Sequence, residues 1–330
     1  MRSAMTNRIK CPGSGLNTQC RIDELKDNLI QWLSSKEMTE LLSLFNGEDI
    51  IYKGDFLQYI KELNRFVKRW DFRKKQSDGG ERWNIYDDSK VTENEKIIWD
   101  CAKGLGMIDV STTKINPDYI LPLGGARMTN LLRPKMAKEL LDFYQWDSKL
   151  IVALSGNRLI NDIERETMDR YAPKAVTEYD AINAGLEHTF NIKKYEENKE
   201  INKNINLQST VRKYTENYRQ CEIYSIAAPS TDPGRRANSL DTFTYFINKF
   251  SVKEKTQILL VTSAIYAPYQ LLKFIPLALE YDLEVDVVGT PPTSGIPQTA
   301  SHYLQEIKSI VDAIYDMSNI FVAPNQKKIG

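Results

Sequence analysis

Hydrophobic residues recur at helical spacing through the first third of the chain. The first such face consists of Ile22, Leu25, Leu29, Trp32 and Leu33. Further amphipathic helices are predicted near residues 38–45, 55–72 and 92–105, the last one opening with the capping box Thr92–Glu95. Amphipathic spacing accounts for the aromatic residues of this region as core residues. We therefore expect a flexible leader over residues 1–20 and an all-helical subdomain over residues 21–115.

From about residue 116, short apolar runs alternate with helical patterns. The predicted strands are Tyr119–Leu123, Leu150–Leu154, Lys174–Glu178, Glu222–Ala228, Gln257–Ser263, Glu284–Val288 and Asn319–Val322. Pro134 suits the first turn of the helix that follows the first strand. Strands that alternate with helices of about 10–15 residues require crossover connections and indicate a parallel sheet. The predicted fold class is α/β, with a Rossmann-like, mostly parallel sheet flanked by helices over residues 116–330.

One stretch interrupts this alternation. Residues 188–220 are polar, rich in Asn and mixed in charge, and they are too many for an ordinary connection. We interpret them as an insertion. A helical flap over the sheet edge and a solvated surface excursion are both compatible with this composition.

Charge and composition narrow the possible partners. Lys plus Arg and Asp plus Glu both number 44, so net charge gives no reason to expect a nucleic-acid partner. No apolar run is long enough for a membrane span or typical of a signal peptide, which predicts a cytoplasmic protein. The four cysteines are scattered and only two histidines accompany them, so we expect free thiols and no metal. The oligomeric state stays open.

Small and polar residues follow the predicted strands. The predicted ligand-binding residues are Gly124, Gly125, Arg127, Ser155, Gly156, Asn157, Arg236, Thr262, Ser263 and Tyr266. In a parallel sheet these positions share the carboxyl edge, where ligands bind. Glycines allow close backbone approach, helix N-termini favour negative charge, and guanidinium groups grip phosphate or carboxylate. The pattern predicts a site for a small anion, such as a nucleotide, S-adenosylmethionine or a phosphorylated compound.

The candidate catalytic residues form a less distinctive pattern than the candidate binding residues. The chain has no Gly-x-Ser-x-Gly elbow, and His188 and His302 are expected to be surface or packing residues. Glu164 and Asp232 are the predicted acid–base carboxylates. An enzyme of this kind would be a transferase or hydrolase acting on a nucleotide-like or phosphorylated molecule. The alternative is a non-catalytic regulatory or interaction protein that uses the helical subdomain as its partner surface.

Several of these strand ends form a recognisable series. The motifs are Leu123-Gly-Gly125, Ser155-Gly156, Glu164 four residues before Met168, Ser239-Leu-Asp-Thr242, the strand ending Val261-Thr-Ser263, and Glu306 in the last helix. This series resembles the SanA/ElyC/YdcF-type family over about residues 117–317. The resemblance implies a Rossmann-like domain; the family is associated with envelope biogenesis, and one member is described as binding S-adenosylmethionine. Tyr266 and Tyr269 stand where the family has His and Arg, which implies a different ligand or lost catalysis.

Overall fold

The computed structural model is an α/β fold built on a seven-stranded, mostly parallel sheet. It describes residues 7–73, 85, 88–111, 115–292 and 297–322. The strands are β1 (Tyr119–Pro122), β2 (Leu150–Gly156), β3 (Tyr195–Glu200), β4 (Ser209–Tyr214), β5 (Glu222–Ala228), β6 (Gln257–Ser263) and β7 (Glu284–Thr290). The predicted fold class is confirmed.

Helices cover both faces of the sheet and also form the N-terminal region. The N-terminal helices are α1 (Thr18–Leu33), α2 (Lys36–Leu44), α3 (Phe56–Val67), α4 (Ser89–Glu93) and α5 (Glu95–Gly104). The later helices are α6 (Thr129–Tyr144), α7 (Asp162–Met168), α8 (Glu178–Phe190), α9 (Ser239–Phe250), α10 (Ala267–Glu280) and α11 (Ala300–Asp316). Helices α6 and α8 pack on one face, whereas α9 and α10 pack on the other.

The strand order reverses direction in the middle of the sheet. The order is β3-β4-β5-β2-β1-β6-β7, in which β5, β2, β1, β6 and β7 run parallel. The chain moves outward from β1 through β2 to β5, and then returns to pair β6 with the other side of β1. Such a reversal leaves a crevice at the carboxyl ends of the central strands, where ligands bind in this class of fold.

The predicted insertion contains strands rather than a helical flap. Strands β3 and β4 form an antiparallel hairpin that extends the sheet beyond β5. Arg212 of β4 lies with its guanidinium carbon 3.7 Å from the centre of the Tyr195 ring and bonds Glu197 at 2.9 Å. These contacts across the hairpin stabilise both strands. Their sequences are polar and lack the alternation of apolar residues from which a strand can be predicted.

Four local predictions were wrong. Lys174–Glu178 is not a strand, because Thr177 caps α8 and accepts the backbone N–H of Asp180. Asn319–Val322 falls on a 3₁₀ turn spanning Ser318–Phe321. Thr92 lies inside α4, whose cap is Asp88, so the Thr92–Glu95 capping box is absent. Pro134 lies in the interior of α6, because that helix begins earlier, at Thr129.

The N-terminal helices share their core with the α/β part. Helix α11 packs against both α3 and α5, and one continuous cluster of buried residues joins Trp32 and Trp70 to Phe274 and Tyr303. Arg21 of α1 is also fully buried and donates hydrogen bonds to carbonyls at the end of α10 and after it. The boundary predicted at residue 115 remains a prediction, but apolar packing crosses it.

Residues 7–16 lie against the last strand. Arg8 donates to the Val287 carbonyl at 2.9 Å, and Ser14 donates to Glu284. The flexible leader expected over residues 1–20 stays a prediction. All four cysteines are free thiols. Among the described residues, no helix combines the length and apolar character needed to cross a membrane.

Candidate functional site

A cleft of about 490 Å³ opens at the carboxyl edge of the sheet. The loops that follow β1, β2, β5 and β6 form it, together with the first turns of α8 and α9. Its polar lining residues are Arg133, Ser155, Asn157, Arg158, Glu178, Asn206, Arg235, Arg236, Asn238, Ser239, Thr242, Tyr266, Tyr269 and Gln270. Leu123, Leu154 and Phe243 contribute apolar surface. The cleft therefore combines charged groups with aromatic and aliphatic walls, as small-molecule sites commonly do.

The Gly124–Gly125 turn leaves room for a neighbouring side chain but offers no free backbone N–H group to a ligand. The Gly124 N–H donates to the Leu154 carbonyl at 2.6 Å, and the Gly125 N–H donates to Oδ1 of Asn130 at 3.0 Å. Asn130 in turn donates to the Gly125 carbonyl. Both glycine N–H groups are therefore used within the protein. A Cβ on Gly124 would collide with the carboxylate of Glu178, so glycine here makes room for that side chain.

Arg133 connects the ends of β1 and β6 through hydrogen bonds. The side chain is 4% exposed, and Nη1 donates to the carbonyls of Leu123 and Gly124, each at 2.6 Å. Nη2 donates to the Ser263 hydroxyl at 3.2 Å. Because Leu123 follows β1 and Ser263 ends β6, Arg133 joins the two sides of the crevice.

Arg158 follows β2 and is held by two carboxylates. Both oxygens of Glu164 accept its terminal nitrogens at 2.7 Å, and Glu178 accepts Nε at 3.0 Å. Burial lowers the pKa of Arg158, but the two carboxylates outweigh it and raise that pKa above its ordinary value. Glu164 is fully buried and also closes the capping box of α7 with Asn161. Its carboxylate therefore orients Arg158 instead of lining the cleft.

The loop after β5 carries a second ion pair. Asp241 accepts hydrogen bonds from Arg235, from the Thr231 hydroxyl and from the Asn238 N–H. Burial alone would raise the pKa of Asp241, but these hydrogen bonds lower it to about 2. Asp232 is exposed in the same loop, and its Oδ1 accepts the Gly234 N–H at 2.8 Å. Asp232 thus shapes the loop and does not line the cleft.

The β3–β4 loop contributes one wall of the cleft. Ile205 and Asn206 line the cleft, and the Asn206 carbonyl accepts the Ser230 N–H at 2.6 Å. On the opposite side, Asn157 donates to the Gln208 carbonyl at 3.0 Å. The insertion is thereby fixed to the loops after β2 and β5, and it completes the site.

Half of the predicted site residues line this cleft. They are Gly124, Ser155, Gly156, Asn157, Arg236 and Tyr266. The remaining six, namely Gly125, Arg127, Glu164, Asp232, Thr262 and Ser263, lie close by but outside the lining. Arg127 has a left-handed backbone with φ of 54°, and its carbonyl accepts the Tyr171 hydroxyl at 2.7 Å. Thr262 is fully buried at the end of β6.

Glu178, Ile205 and Asn206 are site residues that the sequence pattern did not reveal. Glu178 was placed at the end of a strand that does not form. The pair Thr177 and Asp180 is a usable signal, because a capping box there would start a helix and bring Glu178 to the sheet edge. The position of Ile205 and Asn206 in the cleft depends on the pairing of β3 with β4, which no local sequence pattern predicts. In the described part of the chain, no group of three or more His, Cys, Asp or Glu residues is arranged to hold a metal ion.

Comparison with known proteins relates the chain to uncharacterised mycobacterial proteins. The family model of the Rv3785 N-terminal domain matches residues 17–106. Uncharacterized protein Rv3785 of Mycobacterium tuberculosis and uncharacterized protein Mb3814 of Mycobacterium bovis are each 25% identical to the chain over 339 residues. The alignment covers 94% of this chain and 94% of each relative. No solved structure matches the chain significantly.

These similarities correct the family expectation. The chain shows no match to the SanA/ElyC/YdcF-type family, and its similarity runs to the Rv3785 proteins instead. The short strand-end motifs were misleading, because glycine and serine at such turns satisfy general demands of strand-to-helix geometry. The functional expectations taken from that family are therefore withdrawn.

Proposed function

We propose that this protein binds a small anionic metabolite in the cleft at the carboxyl edge of the sheet. The observation that carries the proposal is the convergence of four arginine side chains on one cleft: Arg133, Arg158, Arg235 and Arg236. Arg133, Arg158 and Arg235 already donate to protein carbonyl and carboxylate oxygens, so they offer an anion their positive charge and their remaining N–H groups. Glu178 is the carboxylate among the lining residues.

Three carboxylates pair with two of the cleft arginines. Glu164 and Glu178 accept hydrogen bonds from Arg158, and Asp241 accepts them from Arg235. The ion pairs hold two guanidinium groups in fixed orientations. An anion would therefore bind to side chains that lose little further rotamer freedom, which lowers the entropic cost of binding.

Backbone geometry adds to this preference. Asn238 and Ser239, at the start of α9, line the cleft beside Arg236. The N-terminal end of a helix carries partial positive charge, which favours a bound anion. At α9 the carboxylate of Asp241 already accepts the Asn238 N–H, so the contribution here is that of the helix dipole. A net-cationic ligand such as S-adenosylmethionine fits this environment less well than a phosphate ester does.

The proposal concerns binding. Glu164 and Asp232, the predicted acid–base residues, do not line the cleft, so transferase or hydrolase activity has no support from their positions. The helical region gives no support to the alternative that this is an interaction protein. In the described part of residues 7–111, the exposed large hydrophobic residues are Leu16 and Ile51, whereas a partner surface of the predicted kind would need a larger contiguous apolar area. A cytoplasmic location and the absence of a nucleic-acid partner stay predictions from composition.

The test is anion binding by the full-length protein. Inorganic phosphate and pyrophosphate would be titrated and followed by calorimetry and by the melting temperature, since a ligand at 100 times its Kd stabilises by about 2.7 kcal/mol. Arg236→Gln should weaken binding about 10- to 100-fold, because one charge-assisted hydrogen bond is worth about 1.5–3 kcal/mol.

Arg170→Gln is the matched control. Arg170 is an exposed arginine that does not line the cleft, so this variant should bind as the wild type does. The proposal is wrong if neither anion binds the wild type, or if the two variants bind equally well.

A further inference from the structure

Three arginines and the two tyrosines of the cleft lie in segments that follow different strands. Arg158 follows β2, and Arg235 and Arg236 follow β5, so these cations enter from one side of β1. Tyr266 and Tyr269 follow β6 on the other side. Arg133 lies between the two groups, where its hydrogen bonds join the ends of β1 and β6.

The two ends are far enough apart to bind different parts of one ligand. Three strand intervals separate β5 from β6 in the sheet. Neighbouring strands lie about 4.8 Å apart, so at the level of the sheet the segment after β6 is roughly 14 Å from the loop after β5 and roughly 10 Å from the loop after β2. A bare phosphate reaches one end only, whereas a planar ring joined to phosphate by a spacer reaches both.

Gln270 adds a polar group at the aromatic end. It lines the cleft beside Tyr269, and its Oε1 is buried without a hydrogen-bond partner in the described structure. An unsatisfied buried acceptor costs free energy that a ligand donor would recover. Glutamine is also the side chain that pairs with the amino edge of adenine.

From this arrangement we propose that the ligand is an adenine nucleoside phosphate. The phosphate binds the arginines after β2 and β5, the base packs on Tyr266 and Tyr269, and the 6-amino group donates to Gln270. This inference rests on the proposed anion site, and it specifies which anion the site takes.

The experiment compares three phosphates on the full-length protein: AMP, ribose 5-phosphate and purine riboside 5′-monophosphate, which lacks the 6-amino group. Base stacking on aromatic side chains predicts that AMP binds at least about 10-fold more tightly than ribose 5-phosphate. Tyr269→Ala should remove most of this difference, because it should weaken AMP binding far more than ribose 5-phosphate binding, whereas Tyr269→Phe should preserve the difference.

Gln270→Leu tests recognition of the base edge. Wild type should prefer AMP over purine riboside 5′-monophosphate by about 10-fold, and the variant should bind both nucleotides equally. Equal binding of ribose 5-phosphate and AMP by the wild type would overturn the nucleotide assignment and leave the anion site intact. Equal binding of the two nucleotides by the wild type would overturn the role of Gln270. Absence of binding by all three phosphates would overturn the nucleotide assignment, and it would refute the anion site as well if phosphate and pyrophosphate also fail to bind.

Discussion

Gly124→Ala should destabilise the protein, because this residue makes room for a neighbouring carboxylate. An added Cβ would fall well inside van der Waals contact of Glu178, and 3.0 Å from the Leu154 carbonyl oxygen. The strand end cannot shift freely, since Arg133 and the Gly124 N–H both anchor it. Overpacking of this kind costs about 1–3 kcal/mol.

Gly156→Ala is the matched control at the end of the adjacent strand. A Cβ on Gly156 would meet Ala237 at 3.7 Å, which is ordinary contact. Replacing a glycine by alanine at a compatible position stabilises by about 0.4–1 kcal/mol, because the unfolded chain loses freedom. The two variants should therefore move the free energy of unfolding in opposite directions.

Urea unfolding followed by circular dichroism measures both variants. With a denaturant dependence of about 3 kcal/mol per molar urea, a loss of 2 kcal/mol lowers the midpoint by about 0.7 M. A double variant, Gly124→Ala with Glu178→Ala, identifies the clashing partner. It should cost less than the sum of the two single changes, by about 1 kcal/mol.

Two outcomes would refute this explanation. If Gly124→Ala unfolds at the wild-type midpoint, Glu178 does not occupy the space above the glycine. If the costs of the two single changes add, the clash lies with the Leu154 carbonyl and not with the carboxylate.

Two further predictions concern the ion pairs of the cleft. Glu164→Gln keeps the capping box but removes the charge that Arg158 binds, so it should lower the free energy of unfolding by about 1–3 kcal/mol. The control Glu166→Gln, at an exposed position, should change the free energy of unfolding by less than about 0.5 kcal/mol, and urea unfolding measures both variants. Equal effects of the two variants would contradict a structural role for Glu164. Because the pKa of Asp241 falls to about 2 when folded, from an ordinary value near 3.8, its ionisation stabilises the fold above about pH 4 and this contribution disappears as the pH falls towards 2. The stability difference between the wild type and Asp241→Asn should therefore shrink by about 2 kcal/mol between pH 6 and pH 2, and a constant difference would refute the pairing with Arg235.

The parallel strands could be predicted from sequence because their signals are local. Runs such as Ile258–Val261 are buried on both faces, as the central strands of a parallel sheet are, and helices of suitable length separate the runs. Capping residues are equally local. Thr177 marks the start of α8 by accepting a hydrogen bond three residues ahead, and recognising it would have excluded the strand predicted at Lys174–Glu178.

The β3–β4 hairpin could not be predicted in the same way. Strand β3 is an edge strand whose side chains are almost all exposed, so it has no apolar period. Its stability comes from ladder pairing with β4 and from the contact of Arg212 with Tyr195. Both are cross-strand interactions, and a pattern confined to one segment contains no information about them.

The Gly124–Gly125 turn shows why glycine after a strand is an ambiguous signal. Glycine after a strand has two physical explanations: its N–H groups bind an anion, or its missing Cβ makes space for a neighbour. Sequence alone does not separate them, and here the second holds, since Leu154 and Asn130 accept the N–H groups and Glu178 fills the space. The cations of the cleft come instead largely from the loops after β2 and β5. Those arginines converge on one cleft only because the strand order brings them to one edge of the sheet, and carboxylates fix the direction of Arg158 and Arg235.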